Sequence, residues 1–383
     1  MTQNIYDAVK LKAKILHSGI SITDMALKHY NKPYLIKKRA YGNQDPFDFW
    51  QYQIPQEIYL YKESIVVAVN IRTTSFIELD YADGNFFLFD INENIKYECD
   101  FPKYPEFYDI SINEQKKLYQ YITLYGGKSL ATFVYGSCSL VTIEKPCHYC
   151  SIQQNRSKVT GYDDVIKPHD YEIALTKTLE RLPEYANQVM INGGNFPNLN
   201  KNFAYYVNLA KIAEKVVGKS KKQLDVHLIV YPPEDLHMLD LLKDSNFSIA
   251  MNSEIYDKKL FNKYCPGKKI IAGQNHTLTS LGKAVEILGR GRVFSIFVGG
   301  LEPLESLEKG LQELSALGVT PIINVFHPDP GTPLENHSSP SVSDIIEMGK
   351  MLQTVYRENK YMHPFYKKCG RNSLDTESFL QLF

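Results

Sequence analysis

No run of this sequence approaches the roughly 20 consecutive apolar residues that a helix needs to cross a bilayer. The first residues, MTQNIYDAVKLKAKILHSG, are too polar for a secretory signal. Net charge is missing as well. The 43 Lys and Arg balance 43 Asp and Glu, so nothing global points to nucleic acid or an anionic membrane as a partner. Cysteine is scarce, six in 383 residues, which excludes a disulfide scaffold and points to a reducing, cytoplasmic setting. Tryptophan occurs once, and there is no internal repeat or low-complexity segment. What remains is a chain long enough for a large α/β domain, an accessory domain and an ample core.

The pattern divides the chain into residues 1–128, 129–335 and 336–383. The first part opens with an amphipathic helix over Ile5–Leu16, then a capped one in which Ser21-Ile-Thr23-Asp24 leads into Met25–Tyr30. Lys10, Lys12, Lys14, Lys37, Lys38 and Arg39 make this end basic, as a solvated helix face would be. Short alternating runs at 65–72, 76–81 and 85–91, with Asp83-Gly84 between the last two, predict a small antiparallel sheet. A helix is expected from Ile112 to Tyr125, capped near Ser111 and ended by Gly126-Gly127. From Ser129 the pattern repeats as strand then helix, with strands at 130–135, 188–191, 224–231, 247–252, 292–298 and 321–326. Such repetition predicts a parallel sheet with helices outside it, a partial (βα)6 TIM-like barrel covered by a C-terminal helix and tail. Chemistry in such a barrel gathers where the strands end at their C-termini.

The strand ends carry the residues of interest. After the first strand come Cys138, Cys147 and Cys150, spaced Cys-x8-Cys-x2-Cys with Tyr149 before the last. Three thiolates on one short loop are too few to close a structural zinc site, which wants four ligands. They suit an iron–sulfur cubane with three protein-bound irons and a fourth left open. A zinc knuckle or a set of buried thiols is the plainer alternative. After the second strand, Asn192-Gly193-Gly194-Asn195 offers backbone on which a ligand can lie where no Cβ intervenes. After the fourth, Asn252-Ser253-Glu254 places a carboxylate able to accept two hydrogen bonds from a ribose diol. Gly299-Gly300-Leu301-Glu302 follows the fifth strand, and His327, just past the sixth, is a candidate substrate contact or proton donor. Cys99, Cys265 and Cys369 read as buried free thiols, or as ligands converging on a second cluster.

The cysteine loop, directly after a first strand and ending Cys-x-aromatic-Cys, resembles the radical S-adenosylmethionine (SAM) superfamily. It differs in the first gap, which is usually three residues and here is eight. Over residues 129–360 the chain is most similar to the biotin synthase and lipoyl synthase branch. The resemblance implies a [4Fe–4S] cluster on Cys138, Cys147 and Cys150, whose open iron takes the amino and carboxylate groups of SAM. It gives Asn192–Asn195 the role of the Gly-Gly-Glu stretch that receives the SAM amino group, with Asn195 standing where the family has Glu. It sets Glu254 on the ribose; Lys268, in Cys265-Pro-Gly-Lys268, reads as a partner for the SAM carboxylate or as an exposed lysine. Gly299, Gly300, Glu302 and Tyr149 would flank the adenine. The tail Arg371-Asn-Ser373 is similar to the Arg-Ser-Ser-Tyr segment of lipoyl synthase, whose serine ligates a second cluster.

The activity implied is reductive cleavage of SAM, then hydrogen abstraction from an unactivated carbon of a small metabolite or peptide. A donor such as flavodoxin or ferredoxin would supply the electron. Sulfur insertion is the outcome the branch favours, with carbon-skeleton rearrangement on a single cluster as the alternative. A non-catalytic iron–sulfur or zinc-binding interaction protein is the reading from a different class.

Overall fold

Apolar segments of five to seven residues alternate with amphipathic ones along most of the chain, and in the computed structural model they pair accordingly. The structure describes residues 4–30, 55–62, 64–157, 162–182 and 184–383. Lys37, Lys38 and Arg39 lie outside the described residues. Helix α1 is Ile5–Ser18, started by a capping box in which Asn4 accepts from the Asp7 amide at 2.9 Å and Asp7 accepts from that of Asn4. Strand β1 (Ser21–Ile22) follows, then α2 (Asp24–His29), with Thr23 as the N-cap. Strands β2 (Glu57–Tyr59) and β3 (Val66–Ala68) form an antiparallel pair. Strands β4 (Ile77–Ala82), β5 (Asn85–Asp90) and β6 (Ile95–Glu98) form an antiparallel sheet, which β1 joins in parallel. Asp83 and Gly84 connect β4 to β5 with φ of 53° and 82°, the two left-handed residues that a tight hairpin requires.

The helix expected over Ile112–Tyr125 does not form. Asn113 turns its side-chain oxygen onto the amides of Gln115 and Lys116, and the Leu118 amide goes to Ile110, so the donors a helix would need are taken. A short 3₁₀ turn at Leu118–Gln120 follows, and Thr123–Tyr125 becomes strand β7.

Strand β8 (Ser129–Phe133) begins the main sheet and pairs antiparallel with β7. Helices α3 (Ser139–Thr142), α4 (Ile152–Ser157) and α5 (Pro168–Glu180) then lead to β9 (Gln188–Asn192). Helix α6 (Leu199–Ser220) precedes β10 (Asp225–Ile229), and a 3₁₀ segment at Leu236–Leu242 precedes β11 (Ser248–Ala250). Helices α7 (Lys258–Tyr264), α8 (Pro266–Ile271) and α9 (Gly273–Leu288) separate β11 from β12 (Val293–Gly299). Helix α10 (Leu304–Ala316), β13 (Thr320–Val325), α11 (Val342–Glu358) and α12 (Asp375–Phe379) complete the chain. From β8 to β13 each strand lies parallel beside its predecessor, without reversal of order. This is the arc of a partial barrel, as the repeating pattern predicts, with β7 added as an antiparallel edge.

The inner face carries Ala131, Met190, Ala250, Phe294, Ile296 and Ile322, which pack on Phe365, Tyr366 and Cys369 from beyond α11. That C-terminal segment occupies the gap between the arc's first and last strands. On one side Val325 donates to the Asn372 carbonyl at 2.9 Å and Leu374 to that of Ile323 at 3.0 Å. On the other, Tyr366 stacks on Tyr125, and a Cβ on Gly126 would come within 2.1 Å of the Cys369 carbonyl oxygen. Lys12 of α1 pins the segment, donating to the carbonyls of Gly370 (2.8 Å) and Ser373 (2.7 Å) and to Glu377 (2.7 Å). The outer apolar cluster is continuous from α1 and β3 to the barrel helices, so the accessory part shares its core with the barrel. Among the described residues no helix is long and apolar enough to cross a membrane.

Candidate functional site

The eight-residue gap between the first two cysteines is filled by a single helical turn. Cys138 sits at the N-cap of α3; after it Glu144 takes a left-handed φ of 56° and Lys145 bonds back to Leu140. Cys147 to Cys150 is a tight turn closed by the Cys150 amide on the Cys147 carbonyl at 3.0 Å. Behind the loop, Gly194 has no space for a side chain: a Cβ would meet the Ser137 carbonyl oxygen at 1.6 Å. The two segments interlock, Gly194 donating to Tyr135 at 3.0 Å and Ser139 to Asn195 at 2.8 Å.

Beyond β11, Glu254 adopts a left-handed φ of 66° while its backbone joins β12, donating to Ile296 and accepting from Val298. Its carboxylate lies 2.5 Å from Lys268 Nζ, with both side chains buried. Burial by itself would lower the Lys268 pKa, but the Glu254 charge outweighs it and holds the ammonium well above its usual range. Lys268 also sits 5.0 Å from the Tyr231 ring centre. A hydrogen bond from Cys265, aided by the Lys268 charge, draws the Cys147 pKa down against the pull of burial. At Cys150 burial outweighs the hydrogen bond from the Ile152 amide and pushes the thiol up to about 12.

A cavity of about 370 Å³ opens at this end of the barrel. Its walls hold Cys138, Cys147, Tyr149 and Cys150 on one side and Gly193, Gly194 and Asn195 on a second. Asn252, Glu254 and Lys268 line a third, and His327 is part of the lining as well. His327 Nδ1 is 3.0 Å from Asp329 Oδ1, an ion-pair distance without the alignment of a hydrogen bond. Asp329 also accepts from the hydroxyl of Ser151, beside Cys150.

Several expected contacts are arranged differently. The carbonyls of Gly194 and Asn195 already accept, from the Tyr206 hydroxyl and the Ser139 amide respectively. Asn192 lies within β9, paired with Phe133, and is not part of the cavity wall. Glu302 turns away: its two oxygens accept from the Tyr256 and Asp257 amides at 2.8 Å each, fixing the approach to α7. Gly299 packs toward Met348 and Gly300 toward Pro340, so this loop does not line the cavity. Nor do Cys99, Cys265, Cys369 and Ser373 converge. Cys99 packs on the outer cluster, Cys265 joins the loop cysteines, and Cys369 lies in the lumen. The Ser373 hydroxyl is bonded to Asp375.

Sequence reasoning missed Tyr231, Asn324 and Asn372, which line the same cavity. The side-chain oxygens of Asn252, Asn324 and Asn372 are buried without a hydrogen-bond partner among the described residues. A usable signal existed for Asn324, a lone amide in the apolar strand Pro321-Ile-Ile-Asn-Val. For Asn372 there was none beyond its place in the tail, because its position depends on where the C-terminal segment folds back.

The class so far is a partial-barrel α/β protein with a cysteine-walled cavity at the C-terminal ends of its strands. No family model matches the chain. A curated relative, the bacteriochlorophyllide c C-7(1)-hydroxylase of Chlorobaculum limnaeum, is 27% identical over 197 residues, 48% of this chain and 49% of the relative. The chain therefore spans about half the length of the curated relative it matches. Similar solved structures include a radical SAM methyltransferase from Sphaerobacter thermophilus, with a TM-score of 0.46 and 12% identity over 79% of this chain and 82% of that one. Another is HydG, a maturase of the [FeFe]-hydrogenase, with a TM-score of 0.44 and 16% identity over 64% of this chain and 53% of that one.

Proposed function

We propose that this chain is a radical SAM enzyme. Cys138, Cys147 and Cys150 hold one [4Fe–4S] cluster, SAM occupies the cavity beside it, and hydrogen is removed from an unactivated carbon of a small, mainly apolar substrate. The observation that carries this reading is the shared cavity, walled by the three cysteines, the Gly193–Asn195 turn, Glu254 and Lys268.

The residues fit the cluster better than a single ion. Among the described residues no three His, Cys, Asp or Glu side chains are close enough to share one metal ion, as zinc would require. In a cubane each thiolate takes its own iron. The cavity of about 370 Å³ is within the range for one cofactor-sized molecule. When bound, the cluster supplies the electron that splits SAM and yields the 5′-deoxyadenosyl radical that takes the hydrogen.

The chain's own residues bind and shield. Lys268 offers a cation to the SAM carboxylate and Glu254 an acceptor pair to its ribose. Each neutralises the other in the ligand-free site, so binding exchanges one ion pair for two polar contacts. Ile229, Ile296 and Val298 line the cavity and keep water from the reacting carbon. His327, with Asp329 beside its Nδ1, is the proton donor or substrate contact. The relative's hydroxylation at C-7(1) is also a replacement of hydrogen on carbon, which favours functionalisation of a C–H bond over sulfur insertion. Insertion from a second cluster would need further gathered ligands, and Cys99, Cys265 and Cys369 lie apart.

The test is anaerobic reconstitution followed by iron and sulfide analysis, EPR with and without SAM, and assay of 5′-deoxyadenosine after reduction. About four irons, a SAM-perturbed signal and released 5′-deoxyadenosine are expected. Cys147→Ala should remove all three. A Cys147→Ala protein that kept its iron would overturn the ligand assignment. Bacteriochlorophyllide c, added to the wild type, tests whether the relative's substrate extends to this chain, by stimulating 5′-deoxyadenosine release.

A further inference from the structure

One stretch of the cavity wall carries none of the residues assigned above to the cluster or to SAM. It is formed by the end of β13 and by the tail that pairs with it. Asn324 stands two residues beyond Ile322, which packs in the lumen, so it continues that face of the strand one layer higher. The tail meets the same strand at Asn372: the Val325 amide donates to the Asn372 carbonyl at 2.9 Å, and Leu374 to Ile323 at 3.0 Å. Lys12 holds the Gly370 and Ser373 carbonyls on either side, at 2.8 and 2.7 Å. Both asparagines line the cavity from fixed backbone, and the side-chain oxygen of each is buried without a hydrogen-bond partner among the described residues.

The fold gains nothing from either amide. A buried oxygen without a partner has given up water and received no bond in return. Leucine has the same branched outline and would avoid that loss, and β13 is otherwise apolar around Asn324. Charge is balanced elsewhere in the lining. Among the described residues its acidic and basic side chains are Glu254 and Lys268, which pair with each other, and His327, which has Asp329 beside it. An ion brought to the two amides would be desolvated with no counter-charge left for it.

We propose that Asn324 and Asn372 form a polar subsite for the substrate, taking a neutral hydrogen-bonding group, a hydroxyl or a carboxamide, on an otherwise apolar molecule. The proposal rests on the reading of this cavity as a SAM-dependent active site and names what the second ligand carries. A carboxamide side chain can present its oxygen to an O–H or N–H and its NH₂ to an oxygen, so two of them can satisfy such a group fully. Ile229, Ile296 and Val298 cover the apolar remainder. A substrate held at its polar end by two amides on fixed backbone presents only one part of its carbon skeleton for reaction.

The probes are cyclohexanol and cyclohexanecarboxamide, with cyclohexanecarboxylate and cyclohexylammonium as charged counterparts on the same ring. Each is titrated into the iron-loaded full chain with SAM, and affinity is read from the rise of Tm with probe concentration. The neutral probes should bind about tenfold tighter than the charged ones, and Asn324→Leu and Asn372→Leu should each weaken them about tenfold. SAM affinity, from equilibrium dialysis, should be the same in both variants as in wild type. Without a probe, both variants should melt at or above the wild-type Tm, because each has lost an unbonded polar group. Neutral probes that fail to bind, or bind no better than the charged ones, overturn the proposal, as do leucine variants that bind them like wild type. A loss of SAM affinity in either variant would give the amides to SAM, and a lowered Tm would give them to the fold; both overturn it. A wild type that takes up no iron fails the enzyme reading alone, and the probe preferences of the same protein still decide the amide subsite.

Discussion

The two halves of the barrel lumen are built for opposite purposes. At the C-terminal ends of the strands the wall sets polar groups and glycines among apolar side chains, with three buried amide oxygens left unbonded and an ion pair of Glu254 and Lys268. One layer deeper, Phe294, Ile322, Phe365 and Tyr366 fill the space, and even a histidine, His227, is held there against aromatic rings. The upper layer keeps hydrogen-bonding capacity for something that arrives. The lower layer is packed ring against ring and closes the barrel with the chain's own tail. A cavity lined in part by Ile229, Ile296 and Val298 above a packed floor suits chemistry that must exclude water.

The comparison can be broken most severely from below. Lys12→Met removes the cation from a buried carboxylate and two carbonyls, and should cost about 3–5 kcal/mol of stability, read by denaturant unfolding. The Lys12→Met/Glu377→Leu pair should recover part of that loss.

His227 probes the dryness of the floor by pH. Burial pulls its pKa down to about 3, helped by Lys367 and His363 and opposed by Asp225, and neither ring nitrogen has a hydrogen-bond partner. The unfolded chain binds a proton near pH 6.5 that the folded chain refuses. This contribution to stability is therefore complete above about pH 6.5 and is lost as pH falls toward 3. Between pH 7 and pH 5 the loss should be on the order of 2 kcal/mol, and His227→Leu should flatten it. An unchanged pH dependence in the variant would mean that water reaches the ring.

Two smaller effects belong to the upper layer. Gly194→Ala drives a methyl group into the Ser137 carbonyl, so about 1–3 kcal/mol of stability and part of the iron uptake should be lost together. If unfolding moved and iron did not, the interlock would be structural alone. Lys268→Met should weaken SAM binding about tenfold, or about 1.4 kcal/mol, measured by equilibrium dialysis of the iron-loaded protein. Unchanged affinity would leave the pair with Glu254 as its whole role.

The arc itself was legible because its strands are short apolar runs between amphipathic helices, and the Asp83-Gly84 turn because its backbone angles suit few other residues. The cysteine loop stood out by composition. What could not be read were arrangements that depend on distant partners. Ile112, Leu118, Ile122 and Leu124 look like a helix face, yet Asn113 diverts the local donors and β8 supplies a pairing edge for Thr123–Tyr125. The link from 258 to 271 holds two helices split at Pro266, a split that depends on the cysteine loop packing there, with the His148 amide on the Tyr264 carbonyl. Glu302 looks like a ligand in sequence and serves instead as an acceptor for two amides.

The clasp between Lys12 and the tail also sets an order of events during synthesis. Its three hydrogen bonds join residues 358, 361 and 365 positions apart, so it spans nearly the whole chain. Domains tend to fold as they leave the ribosome, N-terminal parts first. Here α1 must wait, its Lys12 without partners, until residue 377 has emerged. The clasp that fixes the tail in the lumen is thus a contact of very high sequence separation, made after the local strand and helix pairs.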